Sequence, residues 1–293
     1  MLLTIRHRTT YNYANPVTLQ PHRLLLCPRG NYDLTLVARQ IECMPAASID
    51  WSQDTFGNLI ASATFAETSD RLTIDSHMVV EQCAQAWPVF TIAPSAHLHP
   101  FTYSPDEMLD LGALLVPGPQ DAGGRLPAWV QSFVSDSPTD TLSLLQAINS
   151  RINGDVAYRS RDEEGTQSAS ETLAIASGSC RDMATLFIEA ARLLGFGARA
   201  VSGYLYDPTG DEHQHGSTHA WAEVYLPCAG WIAFDPTNAR MGSANLVPVA
   251  VARTIGQIMP ITGGFIGGPD DFVDMAVEVH VTGQPVQPDP QGS

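Results

Sequence analysis

The chain is poor in basic residues and has no long apolar run. Against 31 acidic side chains stand 15 basic ones, a formal charge of −16 over 293 residues. That balance repels nucleic acid and anionic membrane surfaces, so neither is expected as a partner, while cationic or lysine-bearing partners are compatible with it. No stretch approaches the roughly 18 apolar residues that a membrane span needs. The opening Met1-Leu2-Leu3-Thr4-Ile5-Arg6-His7-Arg8 lacks an apolar signal core, and a cytoplasmic setting is the expectation. Cysteine is scarce: Cys27, Cys43, Cys83, Cys180 and Cys228 are odd in number and form no CxxC pair. This is not the pattern of a disulfide framework or a zinc ribbon. There is no internal repeat and no calcium loop of EF-hand spacing.

What is present is a globular composition, 44% hydrophobic, with room for one large or two ordinary domains. Residues 1–85 alternate short β-type runs with turn signals such as Pro28-Arg29-Gly30-Asn31 and Asp54-Thr55-Phe56-Gly57-Asn58, and read as an antiparallel β domain. Residues 86–136 form a proline-rich connecting segment expected to carry short helical pieces. A helix start is expected at Ser137-Pro138-Thr139-Asp140, with Ser137 as cap and Leu142, Leu145, Ile148 and Ile152 at helical spacing. It opens an α+β core over 137–240, a helix packed on an antiparallel sheet. Residues 241–282 are an extension whose last strand, Met275 to Val281, is expected to rejoin the N-terminal sheet. Residues 283–293 read as a disordered tail.

The chemistry centres on Gly178-Ser179-Cys180-Arg181-Asp182. From Met183 the apolar residues Leu186, Phe187, Ala190, Leu193 and Leu194 mark one helical face, and Gly195 stops it. Cys180 then falls in the first turn, where free N–H groups and the helix dipole favour a thiolate. A thiol needs a base, and the base a partner to orient it. His219 opens the strand Thr218 to Tyr225, and Asp235 closes the strand after it. Pairing of Tyr225 with Trp231 would set Asp235 opposite Trp221 and diagonal to His219, with Cβ atoms roughly 7 Å apart. A Cys180, His219, Asp235 triad follows, with the Cys180 backbone N–H as oxyanion donor and Tyr158 or Gln167 as candidates for a second. Trp221 and Tyr204 are candidates to line a substrate groove.

These residues resemble a family. Gly178-Ser179-Cys180-Arg181-Asp182, Val201-Ser202-Gly203-Tyr204, His219-Ala220-Trp221-Ala222-Glu223-Val224-Tyr225 and Gly230-Trp231-Ile232-Ala233-Phe234-Asp235-Pro236-Thr237-Asn238 resemble the bacterial transglutaminase-like proteins of the papain-like superfamily. Tyr11-Asn12-Tyr13, Leu24 to Pro28 and Asp54 to Asn58 resemble the β region that precedes this core. The resemblance implies a cysteine protease, amidase or amine-accepting acyltransferase acting on a peptide or protein, with glutamine- or lysine-bearing substrates as candidates and no cofactor. Arg181 stands where glutamine often follows the cysteine. Two other readings compete: a metal-dependent hydrolase built on His213, His215 and His219, and a non-catalytic module that binds a peptide in the same groove.

Overall fold

A computed structural model describes residues 1–85, 88–119, 123–134, 138–161, 165–208 and 216–284. The N-terminal region contributes six strands: β1 (Leu2–Leu19), β2 (His22–Leu24), β3 (Leu34–Met44), β4 (Ala47–Gln53), β5 (Leu59–Phe65) and β6 (Thr68–Gln82). In β1, alternation turns Leu3, Ile5, His7 and Thr9 inward. Strands β1, β6 and β3 form one antiparallel sheet and β2, β5 and β4 another. They enclose Val17, Leu19, Leu24, Leu26, Leu72 and Ile74.

The connecting segment holds a two-residue strand β7 (Leu98–His99) and the helices α1 (Pro105–Leu111) and α2 (Arg125–Gln131). β7 pairs with β8 (Thr139–Asp140), which leads into α3 (Thr141–Asp155). The cap of α3 is Asp140, whose carboxylate accepts the Ser143 N–H at 2.8 Å. Ser137, expected in that role, lies outside the described residues. A short parallel pair, β9 (Ala157–Tyr158) and β10 (Ser177–Gly178), flanks α4 (Ala169–Ile175) and delivers the chain to α5 (Cys180–Leu193). The end of α5 is a Schellman closure. Gly195, at φ +84°, donates to Arg192 O at 2.9 Å and Phe196 N to Ala191 O at 3.0 Å.

Against α5 lies an antiparallel sheet of β11 (Ala198–Tyr206), β12 (Gly216–Leu226), β13 (Gly230–Asp235), β14 (Arg240–Met241) and β15 (Leu246–Ala252), in the order β14-β13-β12-β11-β15. Ala200, Ala220, Ala222 and Val224 share a cluster with Met183, Leu186, Phe187 and Ala190 of α5. Small residues on the strands let the helix approach, and Phe187 stacks on Phe234 at 5.1 Å. The opposite parity, Val201, Trp221 and Ala233, joins Leu246 and Val251 in a separate cluster backed by Phe56 of the N-terminal region. The sheet is thus covered on both faces. β15 corrects the expected core limit at residue 240: it lies beyond that limit yet pairs with β11 inside the sheet. Every residue of β15 is buried, so no polar alternation announces it.

Three strands follow: β16 (Ile261–Thr262) on β2, β17 (Phe265–Ile266) on β1, and β18 (Phe272–Gln284) on β1. β18 is longer than the expected Met275 to Val281 and takes in Gly283 and Gln284, assigned from sequence to the tail. The rest of that tail lies outside the described residues. No described helix is long and apolar enough to cross a membrane.

Candidate active site

The turn before α5 is tied down by one carboxylate. Asp182, fully buried, accepts Ser179 N and Ser179 Oγ, both at 2.8 Å, the Gln167 N–H at 2.7 Å and Arg161 Nη1 at 3.0 Å. An acid at the third helical position satisfies donors that a helix start leaves open and favours the dipole. Gly178 sits directly over it: a Cβ there would lie 2.8 Å from Asp182 Cβ. With Ser179 N engaged, Cys180 N is a first-turn N–H that bonds no described residue.

At Cys180 three elements meet. Cys180 lies close enough to His219, the Ala220 N–H and Arg181 for them to act on its thiol. His219 Nε2 lies 2.9 Å from Asp235 Oδ2, so Nδ1 is the ring nitrogen left for sulfur. The register behind this is Tyr225 opposite Trp231 and Ala222 opposite Phe234. Asp235 is held in turn by Thr237 N at 3.0 Å and Asn238 Nδ2 at 2.7 Å. Both side chains are almost wholly buried, and the Trp221 indole covers the imidazole, ring centres 6.1 Å apart at 23°.

Burial by itself drives the His219 imidazole toward neutrality, but its hydrogen bonds to Asp235 and Cys180 outweigh this and push its pKa up to about 10. Burial likewise raises the Cys180 thiol. The His219 hydrogen bond and charge, the Ala220 N–H and Arg181 reverse that and hold it below the ordinary thiol range. Asp235, raised by burial, is brought below the usual carboxylate range by His219 and Asn238. All three shifts act in the direction of a thiolate beside an imidazolium and a carboxylate.

Of the other sequence candidates, Tyr158 comes near Cys180 through its strand pairing. It lies across the β9–β10 bridge from Gly178, is 56% exposed, and its phenol is raised by burial and then by the Cys180 charge. Gln167 is tied beneath the turn, its N–H on Asp182 and its amide oxygen accepting from Thr172 Oγ1 at 3.1 Å. Trp221 and Tyr204 do not line a groove, contrary to expectation: they are 1% and 2% exposed. Cover on both faces of the sheet buries side chains of either parity, and the Tyr204 hydroxyl is bonded to His7 Nδ1 at 3.0 Å. His213 and His215 lie outside the described residues, and His219 is already engaged. Among the described residues no three metal-ligating side chains gather. Sequence reasoning missed Asp182 and Asn238. The Ser179-x-x-Asp182 spacing of a capping box was the available signal for the first, and an asparagine three residues past Asp235 in a turn for the second.

A helix-borne thiol beside an antiparallel sheet that carries the imidazole and carboxylate defines a papain-like α+β core. Residues 127–236 match the family model described as the transglutaminase-like superfamily, and residues 3–81 match that of the bacterial transglutaminase-like N-terminal region. By both matches the chain is a bacterial transglutaminase-like protein. It is similar to an uncharacterized protein of Mycobacterium tuberculosis, 28% identical over 290 residues, with 94% of this chain and 91% of the relative covered. A Mycobacterium leprae relative is 24% identical over 297 residues, covering 94% of this chain and 98% of its own. Among solved structures, the fold resembles that of a Cytophaga hutchinsonii protein described as “a Putative Cysteine Protease”. Its TM-score is 0.72 at 19% identity, with 98% of this chain and 93% of that one covered.

Proposed function

We propose that the chain cleaves peptide or amide bonds through an acyl-thioester on Cys180. The observation that carries this reading is the buried His219 Nε2–Asp235 Oδ2 contact at 2.9 Å, set beside a cysteine at the start of α5 whose thiol it holds below the ordinary range. The thiolate attacks the carbonyl carbon, and the oxyanion that forms faces the Cys180 N–H, a donor of a kind whose removal typically costs ~3 kcal/mol. Imidazolium His219 gives its proton to the leaving nitrogen as the C–N bond breaks. Water then attacks the thioester while His219 takes its proton, releasing the acid and freeing the sulfur. Asp235 holds the ring and balances its charge in both halves.

Water is the acceptor we propose, in keeping with the description of the Cytophaga protein as a cysteine protease. Transfer to an amine would use the same thioester. The chain contains no lysine, so any lysine-linked product lies on an added substrate and not on the enzyme. The test is to incubate wild type and Cys180→Ala with a mixed peptide library and a labelled primary amine. Shortened peptides that depend on Cys180 are expected. Deamidated glutamine or amine incorporation would replace hydrolysis of the chain by side-chain chemistry, and no Cys180-dependent product would refute the reading.

A further inference from the structure

The wall behind His219 is not built by the core alone. Trp221, which covers the imidazole, belongs to the cluster of Val201, Ala233, Leu246 and Val251, and Phe56 of the N-terminal β region packs against that cluster. Phe56 is held there by a clasp. Asp54 Oδ1 accepts the N–H groups of Phe56 and Asn58, both at 2.9 Å, and Asp54 Oδ2 accepts Asn58 Nδ2 at 2.8 Å. Gly57, at φ +72°, makes the turn. Asn58, fully buried, grips β15 with both ends of its amide: Oδ1 accepts Val251 N at 2.9 Å, and Nδ2 donates to Val251 O at 2.7 Å. Arg29 Nη1 closes the clasp on Phe56 O at 2.9 Å and Asn58 Oδ1 at 2.7 Å.

The indole has little room to move on its other contacts. A Cβ at Gly203 would come within 3.0 Å of Trp221 Cη2, so the ring already lies on bare backbone. The Asp235 hydrogen bond holds Nε2 but leaves the tilt of the ring about χ2 to the packing around it. The stacked indole limits that tilt.

We propose that Phe56 is a positioning residue of the active site: through the Trp221 cluster, the N-terminal β region sets the plane of His219 and so the stability of its ion pair with Cys180. This rests on the function proposed above, in which that pair does the chemistry. The direct readout is the rate at which iodoacetamide alkylates Cys180, followed by mass spectrometry on its own peptide across a pH series. In the wild type the acid limb is expected below the ordinary thiol range. In Phe56→Ala, with its thermal transition retained, the limb is expected to move up by about one unit, a roughly tenfold loss of rate on the limb. Phe56→Leu is expected to restore it, and in turnover the loss falls on kcat more than on KM.

A folded Phe56→Ala with the wild-type limb overturns the inference while leaving the proposed function standing. Should that variant not fold, Phe56→Val is read in the same way. A wild-type Cys180 that titrates as an ordinary thiol refutes the proposed function itself.

Discussion

His219 Nε2 and Asp235 Oδ2 stand 2.9 Å apart on two neighbouring strands, both almost fully buried. The contact decides which ring nitrogen is offered to Cys180. Asp235→Asn keeps the shape but removes the charge, and sets an amide against the donors Thr237 N and Asn238 Nδ2. Loss of turnover by a factor of about 10⁴ is expected, as is typical where the orienting acid of a triad becomes an amide. Peptide cleavage at neutral pH measures it.

Removing the base reverses the pKa balance at sulfur. In the wild type the His219 hydrogen bond and charge overcome the upward push of burial on Cys180. In His219→Ala burial remains and its main opponent is gone, so the thiol pKa rises. Cys180 in this variant should react slowly at neutral pH and gain rate only as the pH enters the alkaline range. A neutral-pH plateau in the variant would contradict the ion pair.

Asp182 predicts a stability effect rather than a chemical one. Asp182→Ala leaves the Ser179 and Gln167 donors and the Arg161 guanidinium without their acceptor. Loss of one partner of a buried pair costs about 3–5 kcal/mol. Asp182→Asn retains an acceptor oxygen and should fall between this variant and the wild type in urea unfolding.

His7 makes stability depend on acid. It is buried, bonded to Tyr204 and to Thr9 Oγ1 at 3.1 Å, and burial lowers its pKa to about 4. Below the ordinary histidine value of about 6.5 the unfolded chain takes up a proton that the folded chain refuses. Stability therefore falls as pH drops from there to about 4, by about 3 kcal/mol in all. His7→Gln should flatten that part of the stability curve, read from urea midpoints at several pH values.

The position of Cys180 in a helical first turn is legible because apolar spacing and a stop glycine are local signals. The even separation of His219 and Asp235 carries their shared parity, since strand side chains alternate and the Pro227-Cys228-Ala229 turn sets the register. Trp221 and Tyr204 were misleading for a physical reason. Alternation tells which side of a strand a residue faces, not whether that side meets water, and here both sides are covered. β15 escaped notice because burial on both faces removes the polar alternation by which a strand is recognised.

The sequence by itself determined the α+β class and the local element that carries each reactive side chain, because helix periodicity, strand alternation and turn chemistry act over a few residues. Only the tertiary structure decided that His219 Nε2 is taken by Asp235, that Asp182 binds Arg161 and Gln167, and that a loop of the N-terminal region packs against the cluster that contains Trp221. Those contacts join segments far apart in the chain. Their energies depend on burial and distance, which no local pattern encodes.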